Sequence, residues 1–152
     1  MSSSAERIRE ARERAGIEPD AVAAAAGLNS DWYFDVESYD AEVTSNISLD
    51  QLIIITQAVG LTPLGALEGP GAQPPEQRVS LSALVEHARL QMLESAQTIE
   101  EYSERVGWEL APVFADPAYL RKYTVDALQD ICRVVGIDWR AVLPVEIISP
   151  AG

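Results

Sequence analysis

The chain has 152 residues, of which 47% are hydrophobic and 23% charged, a mixture that supports one ordinary core or two small ones and argues against disorder. Its net charge of −13 opposes nonspecific affinity for nucleic acid, and its single cysteine, Cys132, excludes an internal disulfide and a cysteine-based zinc site. No apolar run approaches the roughly 20 residues that cross a bilayer, and MSSSAERIRE lacks a basic stretch followed by an apolar one, so a cytoplasmic protein away from membranes is expected.

ERIREARERAG predicts a first helix, with Ile8, Ala11 and Ala15 on one face, Glu10 four residues before Arg14, and Gly16 as the stop. PDAVAAAAG predicts a second, opening with Pro19 and Asp20 in its first turn and closing on Gly27. NSDWYFDVES predicts a third, capped by Asn29 or Ser30, with Tyr33 and Val36 three apart on the inward side. SYDAEVTSNI then reads as an enlarged loop. SLDQLIIITQAVG places Ser48 and Gln51 in capping-box positions and Gly60 at the end. Its isoleucines also suit a strand, and the enclosing cap and stop favour about three turns of helix. TPLGALEG adds one short helical turn.

LEGPGAQPPEQ (67–77) has the composition of a linker, dividing the chain into a block over 1–68, a linker over 69–78 and a second block over 79–152. The second block repeats the plan of the first. SAQTIEEYSERVGW matches AGIEPDAVAAAAGL, aligning Gly107 with Gly27 and Trp108 with Leu28. TVDALQDICRVVGIDWRAVL matches SLDQLIIITQAVGLTPLGAL, aligning Gly136 with Gly60 and Leu143 with Leu67. The change of offset places four extra residues of the first block between Val36 and Ser48. A duplicated all-α fold is one explanation, and two unrelated helical stretches sharing common caps are the other. Apolar residues in excess of what a small core needs predict that the two blocks pack as a pseudo-dimer.

Read in order, IREARERAGIEPDAVAAAAGLNSDWYFDVES and SLDQLIIITQAVGLTPLGAL resemble the Cro/C1-type (XRE, lambda-repressor-like) helix-turn-helix family over residues 6–68. Residues 84–144 resemble it less closely. The resemblance implies a five-helix domain whose third helix enters the major groove of DNA. It assigns core, turn and buried-acid positions to Ile8, Ala11, Gly16, Val22, Ala23, Gly27, Leu28, Tyr33, Val36 and Glu37, and later to Leu49, Leu52, Ile55, Gly60 and Leu67.

The positions that would meet DNA depart from that pattern. Where the family commonly starts its second helix with a polar residue, this chain has Pro19 followed by Asp20. The outward side of the third helix offers Asn29, Ser30, Asp31, Trp32, Phe34 and Asp35, followed by Asp40 and Glu42. Carboxylates there would repel phosphates across a desolvated interface. Residues 1–14 hold Arg7, Arg9, Arg12 and Arg14, whereas residues 15–77 carry ten acids and no Lys or Arg, so residues 1–77 balance at −9. The arginines alternate with Glu6, Glu10 and Glu13, and one of them is expected to pair with Glu37 inside the fold. In the second block, Pro112 and Pro117 interrupt the corresponding reading helix, and Arg121 and Lys122 form the only other adjacent basic pair.

The remaining features have plain explanations. His87 stands alone, and Cys132 lies on an apolar helix face. Thr98 and Glu101 make a capping box, and Trp108 and Trp139 align with packing positions. No phosphate loop, Ser-His-Asp set or metal-ligand motif is present, so no cofactor, metal or catalysis is expected. Exposed aromatics rimmed by acids suit a protein-binding surface, here Asp31, Trp32, Phe34, Asp35, Asp40 and Glu42. Alternatively, Trp32 and Phe34 pack against the loop or the second block. The resulting expectation is a non-enzymatic acidic protein that has lost direct DNA reading and binds a basic protein partner, of the antitoxin, immunity, DNA-mimic or regulatory type. The alternative is a DNA-binding transcriptional regulator using Arg7, Arg12, Asn29 and Ser30.

Overall fold

The computed structural model describes residues 2–144, which are all-α; among them there is no strand, and no helix is long and apolar enough to cross a membrane. The chain divides into two compact units, Met1–Pro74 with Leu143–Gly152, and Pro75–Val142.

In the first unit, α1 (Ser4–Arg14) starts on Ser3, whose hydroxyl accepts the Glu6 N–H. It buries Ala5, Ile8 and Ala11, spaced by three as a single helical stripe requires. Ala15, expected on that stripe, is instead the exposed cap residue, because the helix stops one residue earlier and Gly16 turns the chain at φ +70°. α2 (Pro19–Ala26) ends on Gly27 at φ +73°, a left-handed conformation that suits glycine. α3 (Ser30–Val36) is capped by Asn29, whose side-chain oxygen accepts the Trp32 N–H at 2.7 Å. Tyr33, Val36 and the following Glu37 face inward and are buried.

The stretch expected as an enlarged loop is partly helical: Glu42–Asn46 forms a π-helical turn. Thr44, Ser45 and Asn46 are indifferent helix formers, which hid the element from sequence propensity. What holds it is the pair Val43 and Ile47, four residues apart and both buried in the core. α4 (Leu49–Val59) is a helix rather than a strand, and both halves of its Ser48/Gln51 capping box are formed. Leu52 and Ile55 are fully buried where α4 packs on α1 and α2, each burial stabilising by about 1.5–3 kcal/mol. Ile54 lies on the outward side, 37% exposed. α5 (Pro63–Glu68) is capped by Thr62 and buries Leu64 and Ala66, while Leu67, expected as the core position, is only half-buried.

The second unit has the same element order. α6 (Leu81–Glu94) is followed by α7 (Ile99–Val106), α8 (Ala111–Ala115), a 3-10 turn at Pro117–Lys122, α9 (Val125–Val135) and a 3-10 turn at Trp139–Ala141. α7 matches α2 end to end at an offset of 80, and α9 matches α4 end to end at an offset of 76. Gly107 and Gly136 adopt the same left-handed stop as Gly27 and Gly60. Thr98 and Glu101 form the expected capping box. Pro112 and Pro117 each lie at the start of a short helical segment, so the counterpart of α3 is a five-residue helix followed by a 3-10 turn. Tyr102 Oη donates to Gln91 at 2.6 Å, and Gln91 Nε2 donates to the Val134 carbonyl at 2.9 Å, tying α6, α7 and α9 together. Trp108 is half-buried, its indole N–H donating to Asp130 at 2.9 Å, which lowers the Asp130 carboxyl below the usual range.

Cys132 is buried in α9, and burial pushes its thiol up to about 12, with the charge of Asp138 adding to the effect. At pH 8 the folded chain should therefore react with a maleimide about 10³-fold more slowly than a free cysteine. Labelling at the rate of an unstructured peptide would show that α9 does not bury the thiol.

Candidate functional site

α3 separates its residues into two arcs. Tyr33, Val36 and Glu37 turn into the core, leaving Asp31, Trp32, Phe34 and Asp35 on the other side, as the 100° step of a helix dictates. Phe34 is 67% exposed and Trp32 36% exposed, so neither is covered as a core aromatic would be. Tyr39, which the sequence reading passed over, adds a third ring at 61% exposure just beyond the helix. Asp31 is exposed and Asp35 half-buried.

The two acids that follow are placed differently. Asp40 Oδ1 accepts the backbone N–H of Ala5 at 2.9 Å, satisfying a donor at the start of α1 that no residue of its own helix can reach. Glu42 Oε1 accepts from Asn46 Nδ2 at 2.9 Å within the π-helical turn. Both therefore hold local structure as well as contributing negative charge.

The four residues expected to meet DNA under the alternative reading are all engaged inside the unit. Arg7 Nε and Nη2 donate to the carbonyls of Ala66 and Leu67 at 2.8 Å each, closing the C-terminal end of α5, and its Nη1 donates to the Ser2 carbonyl. Arg12 makes a two-point ion pair with Glu37, Nε to Oε2 at 2.6 Å and Nη2 to Oε1 at 2.9 Å, and its Nη1 donates to the Ile17 carbonyl at 3.0 Å. That pair raises the Arg12 guanidinium above its ordinary value, its hydrogen bond to Glu37 being the main cause. Asn29 is spent as the cap of α3, and Ser30 Oγ donates to Asp20 Oδ1 at 2.8 Å. Arg9 and Arg14 remain as exposed cations of α1.

No family model, curated protein or solved structure matches the chain.

Beside the aromatic arc lies a pocket of about 410 Å³ to which α1, α2 and α3 all contribute, its lining including Phe34, Asp31 and the Arg12–Glu37 pair. Tyr33 also lines it, and its hydroxyl is buried without a hydrogen bond of good geometry, the Glu37 and Arg12 side chains being the polar groups that interact with it. Burial, more than those charges, raises the phenol far above its ordinary value, so it stays protonated at any physiological pH. A buried polar group left poorly paired costs about 1–3 kcal/mol, and this hydroxyl is the one buried side-chain polar atom among the described residues without a hydrogen bond of good geometry. Nothing in the local sequence marks it. Tyr33 reads as one more inward aromatic, and the Glu37 carboxylate that interacts with it is held by an arginine 25 residues away.

Proposed function

We infer that the chain is a non-enzymatic binding protein whose first unit keeps a Cro/C1-like helix-turn-helix scaffold and presents the outward arc of α3 to a basic protein partner, in the manner of an antitoxin, immunity protein, DNA mimic or regulator. The observation that carries this reading is the pairing of exposed Trp32 and Phe34 with Asp31 and Asp35 on one short helix. Aromatic anchors supply most of the affinity of protein interfaces, and surrounding charge selects the partner and speeds encounter. Engagement of Arg7 and Arg12 inside the fold supports the same reading, since a strongly salt-dependent DNA complex uses roughly six or more phosphate contacts.

Duplex binding measured over a range of salt, together with co-purification from the native host, tests it. The expected result is weak duplex binding and a stoichiometric protein partner that Trp32→Ala releases. Tight duplex binding with a steep salt slope would replace this reading with that of a DNA-binding transcriptional regulator.

A further inference from the structure

We propose that the pocket between α1, α2 and α3 receives a single arginine side chain of the partner, with Asp31, Phe34 and Tyr33 as its principal contacts. This rests on reading the α3 face as a protein-binding surface, and it specifies what that surface recognises.

Three independent features converge on a guanidinium. The first is charge: two cations and three carboxylates line the pocket, and Arg12 and Glu37 neutralise each other. Arg9, Asp20 and Asp31 then leave one net negative charge, which one bound cation balances. Asp31 has no side-chain hydrogen bond or ion pair among the described residues, so its carboxylate is available for a two-point contact, whereas Asp20 already accepts from Ser30. The second is the exposed ring of Phe34 in the lining, a surface on which a planar guanidinium stacks and a compact ammonium gains less. The third is the Tyr33 hydroxyl. It is buried with no hydrogen bond of good geometry, although the Glu37 and Arg12 side chains interact with it, and a five-donor guanidinium is a ligand able to supply a well-formed one. A phosphate would instead meet the net negative charge left by Asp20 and Asp31 against Arg9, so the same lining disfavours an anion.

The test is a ¹H–¹⁵N NMR titration of the full chain with the blocked tripeptide acetyl-Gly-Arg-Gly-amide, run beside its Lys and Glu analogues and a short DNA duplex. The expected result is saturable shifts at the amides of Asp20 and residues 30–34 with the arginine peptide, weaker shifts with lysine and none with glutamate. Asp31→Asn should weaken arginine binding about tenfold, the worth of one charge-assisted hydrogen bond. Tyr33→Phe removes a poorly paired hydroxyl, so it should fold with unchanged or higher melting temperature while also weakening the peptide. Shifts spread evenly over the acidic surface, equal shifts from the glutamate peptide, saturation by the duplex, or indifference to both substitutions would overturn the proposal. Failure of the pocket and failure of the face are separable. A partner lost with Trp32→Ala but kept with Asp31→Asn and Tyr33→Phe removes the pocket alone. A partner kept with Trp32→Ala, beside a pocket that still titrates with arginine, removes the wider face.

Discussion

Replacing Glu37 by glutamine is expected to lower the unfolding free energy of the first unit by about 3–5 kcal/mol, the largest effect of any polar substitution in it. The two side chains are 12% and 9% exposed and meet at 2.6 Å, so most of each charge is withdrawn from water although the pair borders the pocket. Glutamine keeps the shape of the glutamate but not its charge, and its amide N–H2 group confronts a guanidinium that has only donors to offer. Arg12 would retain its bond to the Ile17 carbonyl and at most one to the glutamine oxygen. The measurement is amide hydrogen exchange in α1 and α3 against urea, and a loss below about 1 kcal/mol would mean that the pair behaves as a solvated surface contact. The loss should change only modestly between low and moderate salt, because a mostly buried pair is screened far less than an exposed one. Substituting both partners by methionine should restore much of the stability, since a well-packed apolar pair avoids the desolvation cost altogether.

The second large effect concerns binding rather than folding. Trp32→Ala and Phe34→Ala should each cost about 2 kcal/mol of partner affinity, roughly thirtyfold, and together they should abolish recovery of the complex. Because Phe34 is 67% exposed and both residues lie on the arc away from the core, circular dichroism and melting should stay within about 0.5 kcal/mol of the parent for Phe34→Ala. Calorimetry with the co-purified partner measures the affinity. If Phe34→Ala binds as well as the parent, the ring is not an anchor and the aromatic arc loses its assigned role.

Much of the helical framework could be read without coordinates. Ser48, Gln51 and Gly60 enclosed α4, Thr98, Glu101 and Gly107 enclosed α7, and each end fell where cap chemistry placed it. These signals are local: a side chain satisfies a backbone group three residues away, so the information sits in a short window. The expectation that an N-terminal arginine pairs with Glu37 also held, with Arg12 as the partner. What escaped was non-local. Asp40 serves a donor 35 residues earlier and Arg7 serves carbonyls about 60 residues later, and no periodicity announces either contact. The π-helical turn escaped for a different reason: Val43 and Ile47 carry the four-residue spacing of a helix, but the polar residues between them are those of loops. The outward side of Trp32 and Phe34 was legible from the spacing of Tyr33 and Val36, whereas the pocket beside them was not. It is made by three helices, and the Glu37 carboxylate that interacts with its buried hydroxyl is held from a distant part of the chain.

The clasp of Arg7, with Ser4 Oγ also donating to the Leu67 carbonyl at 3.3 Å, bears on how this chain comes off the ribosome. α1 is made first, but its tethers to Asp40, Ala66 and Leu67 arrive late. At about 5–20 residues per second, the roughly 50 residues between the end of α1 and Leu67 take about 3–10 s to translate. Until then Arg7 lacks the carbonyls that it closes in the finished unit. Residues 1–14 carry four arginines and three glutamates, so the growing chain passes from slightly basic to strongly acidic as the rest of the unit is added.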